Sequence, residues 1–215
     1  MVRAILAGRK TQARRIINPK HGGLIVGVGG PGIAMEQISD SEFSTVISPY
    51  GGSGDRLWVR ETWQGPLMDA DTMETEYRRS PDDFHNPKYC VYAADGDLRP
   101  EFMTLDDELV CRWRPSTNMP RWASRISLKV SGVRVERLQD ISEADALAEG
   151  IESLTGDNTI YHWDFPKPHP NHAVSGYKSA RSAYHELWCE INGRDSWDAN
   201  PWVWAIDFER IDHAA

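Results

Sequence analysis

Residues 126 to 135 read ISLKVSGVRV, and no other run constrains the fold as strongly. Ile126, Leu128 and Val130 alternate with Ser127, Lys129 and Ser131, the two-residue period of a strand with one buried face. Gly132 breaks the phase and Val133 and Val135 resume it, so a bulge is expected there. A second such strand lies near the chain end, where Trp202, Trp204, Ile206 and Phe208 alternate with Val203, Ala205, Asp207 and Glu209. RLWVRETW (56–63), opened by Gly54-Asp55, and YCVYAAD (89–95) read as two more. Strands outnumber helices and are spaced too irregularly for βαβ units. The expected class is α+β: a small, twisted, mostly antiparallel barrel with helices packed at its openings.

The helices are few and well punctuated. Val2, Ile5 and Leu6 follow helical spacing up to a stop at Gly8. ISEADALAEGI (141–151) carries Ser142 as N-cap, Asp145 three residues on and Gly150 as its end. Ala180, Ala183, Tyr184, Leu187, Trp188 and Ile191 form the apolar stripe of the longest helix, ended by Asn192-Gly193. Residues 19–54, rich in Gly and Pro, are expected to be loop with at most one short strand, and 152–177 to be loop around Pro166, Pro168 and Pro170. No repeat is visible, and 215 residues fit one large domain or two small ones.

Composition removes several classes. A hydrophobic fraction of 40% suits a globular chain. No apolar run approaches the roughly 18 residues that cross a bilayer, so no membrane partner is expected. Arg3, Arg9 and Lys10 interrupt any signal-peptide core. Cys90, Cys111 and Cys189 are odd in number and lack metal-ligand spacing, which favours a reducing cytoplasm. GVGGPG lacks the helix and the Lys-Ser/Thr of a phosphate-binding loop, and there is no GxSxG elbow. His162, His169, His172 and His185 have no firm ligand partners, so neither metal nor cofactor is expected.

The net charge of −8 argues against non-specific nucleic-acid binding, but its distribution is uneven. Residues 1–20 hold Arg3, Arg9, Lys10, Arg14, Arg15 and Lys20 without an acid. Residues 112–137 hold seven cations against Glu136. A lysine becomes a base or nucleophile near neutral pH when burial and neighbouring cations lower its pKa, and Lys10 has Arg9, Arg14 and Arg15 beside it. The same group would also suit a phosphate. Glu149 is the last helical residue before Gly150; the negative end of a helix helps a carboxyl keep a proton that it can then give to a leaving group. In CRWRPSTNMPRWASR (111–125) arginines alternate with Trp113 and Trp122, a pattern that stacks bases and holds phosphates, or that packs a core behind cations.

LAGRKTQARR, GDRLWVRETW, the ISEADALAEGI helix and WVWAIDFERI together resemble the ASCH domain family. WRPSTNMPRWASRISLKVSGVRVERLQDIS and SWDANPWVW are similar to its larger phage and prophage members. The resemblance implies a single PUA-like β-barrel domain over 1–215, with insertions at about 19–50, 66–110 and 152–175 and, in the phage type, a strand ahead of Met1. It implies a cytoplasmic protein whose partner is a nucleoside or RNA. Small bacterial members are amidohydrolases that remove the acetyl group of N4-acetylcytidine with a Lys, a Thr and a Glu. The Lys falls on Lys10 and the Glu on Glu149; the Thr falls on Ala13, which has no hydroxyl. Thr11 or a water would then be the nucleophile, and a threonine placed at 13 is expected to raise hydrolysis. Arg14 and Arg125 are candidates for anchoring substrate. The alternatives are a binding module that uses Arg9, Arg14, Arg114, Arg121 and Trp122 on RNA or modified nucleic acid without turnover, and a ribonuclease.

Overall fold

The computed structural model describes residues 1–96, 100–103, 109–153, 161–162 and 177–211. The chain divides into two compact units, one built on residues 3–57 and 129–210, the other on 58–128. Along the chain come helix α1 (Val2–Leu6) and strands β1 (Gln12–Ile16), β2 (Leu24–Gly30), β3 (Ile33–Gln37), β4 (Phe43–Ile47) and β5 (Arg56–Trp58). Next are β6 (Trp63–Gln64), the single turn α2 (Ala70–Thr72), β7 (Val91–Tyr92), β8 (Glu101–Met103) and β9 (Leu109–Cys111). The chain ends with β10 (Ser127–Arg137), α3 (Glu143–Ala148), β11 (Glu152–Ser153), β12 (Tyr161–His162), α4 (Ala180–Asn192), α5 (Arg194–Asp198) and β13 (Trp202–Ile211).

Strands β1, β13, β10 and β5 are neighbours in that order in a four-stranded sheet, with β1 and β13 antiparallel from Gln12 opposite Asp207 to Ile16 opposite Val203. Curled antiparallel sheets with flanking helices make a half-barrel of the α+β class. β10 follows its sequence pattern closely. Ile126, Leu128 and Val130 are buried, then Val133 and Val135, so the buried face changes phase across Ser131-Gly132 within one unbroken strand. In β13 Val203, Trp204, Ala205 and Ile206 are all buried, as suits a strand with neighbours on both sides.

The first unit's core joins Leu138, Ile141, Ala146, Ile151, Ala180, Ala183, Tyr184, Trp188 and Val203, so the apolar stripe of α4 closes on α3 and β13. The helix punctuation holds: Ser142 and Asp145 form a reciprocal capping box, and Ser179 caps α4. In the second unit Trp63, Tyr92, Met119 and Ala123 form a smaller core with Cys90 and Trp122 against it.

Three expectations are corrected. Residues 19–54 are not loop but carry the antiparallel sheet β2-β3-β4. Their glycines serve close approach rather than turns alone: a Cβ on Gly23 would lie 2.1 Å from the Gln37 carbonyl oxygen. The fully buried Glu36 fastens the entry to this sheet, accepting from the backbone N–H groups of Lys20, His21 and Gly23. Second, the run 56–63 is not one strand: β5 ends at Trp58, Glu61 turns inward to take Arg125, and Trp63 opens β6 by pairing with Tyr92. Third, 89–95 is a strand only at Val91–Tyr92, framed by 3-10 turns at Pro87–Tyr89 and Ala93–Asp95. Most of the expected loop 152–177, with His169 and His172, lies outside the described residues.

Leu138, with no exposed surface, and Leu147, 41% exposed, set the scale of this packing. Leu138→Ala should cost about 2–5 kcal/mol and Leu147→Ala no more than about 0.5 kcal/mol. Urea unfolding midpoints at constant slope measure both.

Candidate functional site

The strand period places Lys10, Gln12 and Arg14 together. All three are buried, while Thr11 and Arg15 are exposed and Ala13 is half-buried. The backbone here is held from three sides. The Lys10 N–H donates to the Ala4 carbonyl of α1, and the Thr11 N–H donates to the Ala148 carbonyl at the end of α3. The Phe208 N–H of β13 donates to the Thr11 carbonyl. Two segments 139 residues apart in the sequence are thereby locked side by side.

Gly150 makes the lock possible. It sits at φ 98°, and a Cβ there would come within 3.2 Å of the Ala4 Cβ and 3.3 Å of the Lys10 Cβ. Only glycine lets α3 stop at this point and bring Glu149 against Lys10.

Lys10 Nζ donates to Glu149 Oε2 at 2.5 Å and to the Glu149 carbonyl oxygen at 2.7 Å. The ammonium thus meets both the carboxylate and a terminal carbonyl of the helix. Arg14 lies behind with no exposed side-chain surface, 3.4 Å from Glu149 Oε1, 2.5 Å from Glu136 and 3.5 Å from Asp145. It also donates to Gln12 Oε1, and the Gln12 amide donates to Asp145 and Asp207. Arg134 closes the outer rim with bonds to Asp145 and Asp207.

Burial is the main cause of a Lys10 pKa below its usual 10.5; Glu149 opposes the shift, and Arg15 and Arg14 add to it. The same burial, with the Glu149 charge second, pushes the Tyr184 phenol well above 10. Burial also acts upward on Asp145, but hydrogen bonds from Gln12 and Ser142 and the Arg14 charge outweigh it and bring its carboxyl to about 2.

These groups form one end of a cavity of about 670 Å³. Lys10, Arg14 and Glu149 lie at the buried end with Tyr184 and Trp188; Leu187 and Tyr50 continue the wall, and Arg15, Ile16, Asn18, Ile191 and Asn192 are its exposed members. A polar end with aromatic and aliphatic walls, at this size, suits a planar polar molecule.

Of the residues expected from sequence, Lys10, Glu149 and Arg14 are brought together here. Arg9 stands beside them, 3.5 Å from Glu152. Thr11 is exposed and does not line the cavity, so it is not placed to attack a ligand there. Ala13 pairs with Ile206 on β13, on the strand face opposite Gln12 and Arg14, and does not line the cavity either. Arg125 belongs to the second unit, in a fork with Glu61, a bond to Asp95 and a stack 3.9 Å over Tyr92. There Arg114 and Arg121 lie over Trp63 and Trp58, and Trp122 stacks on His85 at 4.7 Å. In segment 111–125 the Trp122 ring is thus taken up by His85 and by the edge contact with Trp63. Among the described residues no three His, Cys, Asp or Glu side chains cluster as metal ligands would.

Gln12, Tyr184 and the acids Glu136, Asp145 and Asp207 were not anticipated. Gln12 had a signal, since it lies two residues from both Lys10 and Arg14; Tyr184 was hidden in the apolar stripe of α4. No protein-family model, curated protein or solved structure matches the chain.

Removing one member of the buried pair, by Lys10→Met or Glu149→Gln, should cost about 3–5 kcal/mol, and the double variant Lys10→Met/Glu149→Leu should recover most of it. Chemical unfolding of the three variants measures the coupling. In the folded chain Lys10 should titrate below the other lysines, by 13Cε NMR, with its signal absent in Lys10→Met. The unfolded chain keeps the Lys10 proton up to 10.5, so stability should gain as pH rises from the lowered value towards 10.5.

Proposed function

We propose that this chain is a hydrolase that cleaves an N-acyl group from a planar, nucleobase-like amine, of the class of N4-acylated cytosine or cytidine, on a PUA-like barrel of the ASCH type. The observation that carries the reading is the 2.5 Å contact of Lys10 Nζ with Glu149 Oε2 within a cavity of nucleoside size.

The chemistry runs on one proton exchanged inside the pair. With the proton on Glu149 and Lys10 neutral, the amine takes a proton from water as the water oxygen attacks the acyl carbonyl. The Arg14 guanidinium and the Lys10 ammonium so formed favour the negative charge that develops on the carbonyl oxygen. Glu149 gives its proton to the leaving nitrogen as the C–N bond breaks, and Lys10 returns the proton to Glu149. One water is consumed, and a carboxylic acid and a free amine leave. The nucleophile is water, since neither Thr11 nor Ala13 lines the cavity. Tyr184 and Trp188 supply flat faces for the ring.

Purified protein incubated with N4-acetylcytidine should release cytidine and acetate, followed by chromatography. Glu149→Gln should lower kcat by at least about 100-fold, the scale of a lost general acid. Ala13→Thr should leave kcat within about 3-fold, because position 13 faces away from the pair. Absence of turnover together with salt-sensitive binding of a short RNA would instead favour the binding module.

A further inference from the structure

We propose that the open end of this cavity is an oxyanion subsite centred on Arg15, so that the natural ligand carries a phosphate or carboxylate beyond the part seated on Lys10 and Glu149. The nature of the seated part rests on the hydrolase reading; the subsite does not.

The charged side chains that line the cavity are unequal in number. There are three cations, Lys10, Arg14 and Arg15, and one acid, Glu149. Lys10 is matched by Glu149 at 2.5 Å. Arg14 is matched by Glu136 and Asp145 in addition to Glu149. Arg15 is what remains. Its Nη1 donates to the Arg14 carbonyl oxygen at 2.8 Å and its Nη2 meets the Met1 sulfur at 3.9 Å, both neutral. Among the described residues no carboxylate pairs with it, although the chain as a whole is acidic.

Position strengthens the case. Arg15 sits on β1 one residue after Arg14, yet its guanidinium folds back along the strand to the Arg14 carbonyl instead of extending into solvent. It lines the same cavity as Lys10 on one side and Tyr184 of α4 on the other. Asn18 and Asn192 are the other exposed polar members of the lining, and the Asn192 amide already donates to the Trp188 carbonyl. A guanidinium held at one edge keeps donors in a fixed fork that matches two oxygens of a phosphate or carboxylate.

Two sources would supply such an oxyanion: a phosphate ester on the sugar side of a nucleotide, or a carboxylate at the far end of a longer acyl group. Titration calorimetry at low salt separates them, using cytidine against cytidine 5′-monophosphate and N4-acetylcytidine against N4-succinylcytidine. In at least one pair the anionic ligand should bind about 10-fold or more tightly than its neutral partner, and added salt should narrow the gap. Arg15→Gln should close that gap to under about 2-fold, and Arg15→Lys should leave it intermediate. Arg15 is exposed, so the fold should survive both changes, which circular dichroism checks. Equal affinities within both pairs, a gap that survives Arg15→Gln, or no binding of any of the four would overturn the subsite. Hydrolysis of N4-acetylcytidine with no such gap would sink the subsite and leave the hydrolase standing; an Arg15-dependent gap without hydrolysis would do the reverse.

Discussion

A lysine and a glutamate, each buried to within a few per cent of full occlusion, face one another across 2.5 Å, and the first unit is arranged to hold them so. Charges taken out of water cost several kcal/mol each, and mutual attraction offsets this only when geometry is good and the remaining polar valences are met. Here the pair finds further partners at 2.7 and 3.4 Å. The ammonium reaches a second acceptor in the Glu149 carbonyl, and the carboxylate reaches Arg14 through its other oxygen. The fold supplies the geometry through backbone bonds from residues 10 and 11 to α1, α3 and β13. Gly150 supplies the clearance. A methyl group at that one position would crowd the Ala4 and Lys10 Cβ atoms at 3.2 and 3.3 Å and strain a backbone at φ 98°.

Behind the pair lies a second layer that gives it direction. Gln12 is almost fully buried and uses its amide twice as donor and once as acceptor, tying Arg14 to Asp145 and Asp207. Asp145 also completes the capping box that starts α3, the helix that delivers Glu149. One carboxylate thus fixes the start of the helix and the cation beneath its end. The low pKa of Asp145 follows from these bonds, and it keeps the acid charged wherever Arg14 needs a partner.

Much of this was legible, and the misses have particular causes. The ten residues from Ile126 gave both the strand and its change of phase, because a two-residue period reports directly which face is buried. Lys10 and Glu149 stood out by type and by neighbours, yet nothing local says that two such residues meet; that depends on α3 packing against β1. The Gly-rich segment before residue 54 misled because glycine marks a turn and a close strand contact alike, and Gly23 is of the second kind. Arg125 misled because its partners Glu61 and Asp95 lie 64 and 30 residues away. Tyr184 read as core because it is core; that its ring also borders a cavity follows from Lys10, Arg14 and Glu149, which line that cavity with it.

Under the proposed hydrolase reading, the lack of a hydroxyl at position 13 looks at first like a loss of chemistry, but the environment of the pair makes it less so. In water a lysine and a glutamate exist as ions, and neither a free amine nor a carboxylic acid is at hand near neutral pH. Burial disfavours the Lys10 ammonium, and the 2.5 Å contact places its proton directly beside Glu149 Oε2. On the proposed hydrolase reading, base and acid would arise together from a single proton shift between adjacent atoms, with no net change of charge. A threonine would add a covalent step, not the acid or the base. What the site needs besides this pair is a water beside Lys10 and a carbonyl within its reach, which is a question of how the walls seat the ligand. Those walls come mainly from α4, which sets Tyr184 against Glu149 and Trp188 one turn further along the same helix. The apolar stripe that closes the core and the surface that would orient the ring are therefore parts of the same helix, and a change in α4 packing would move both.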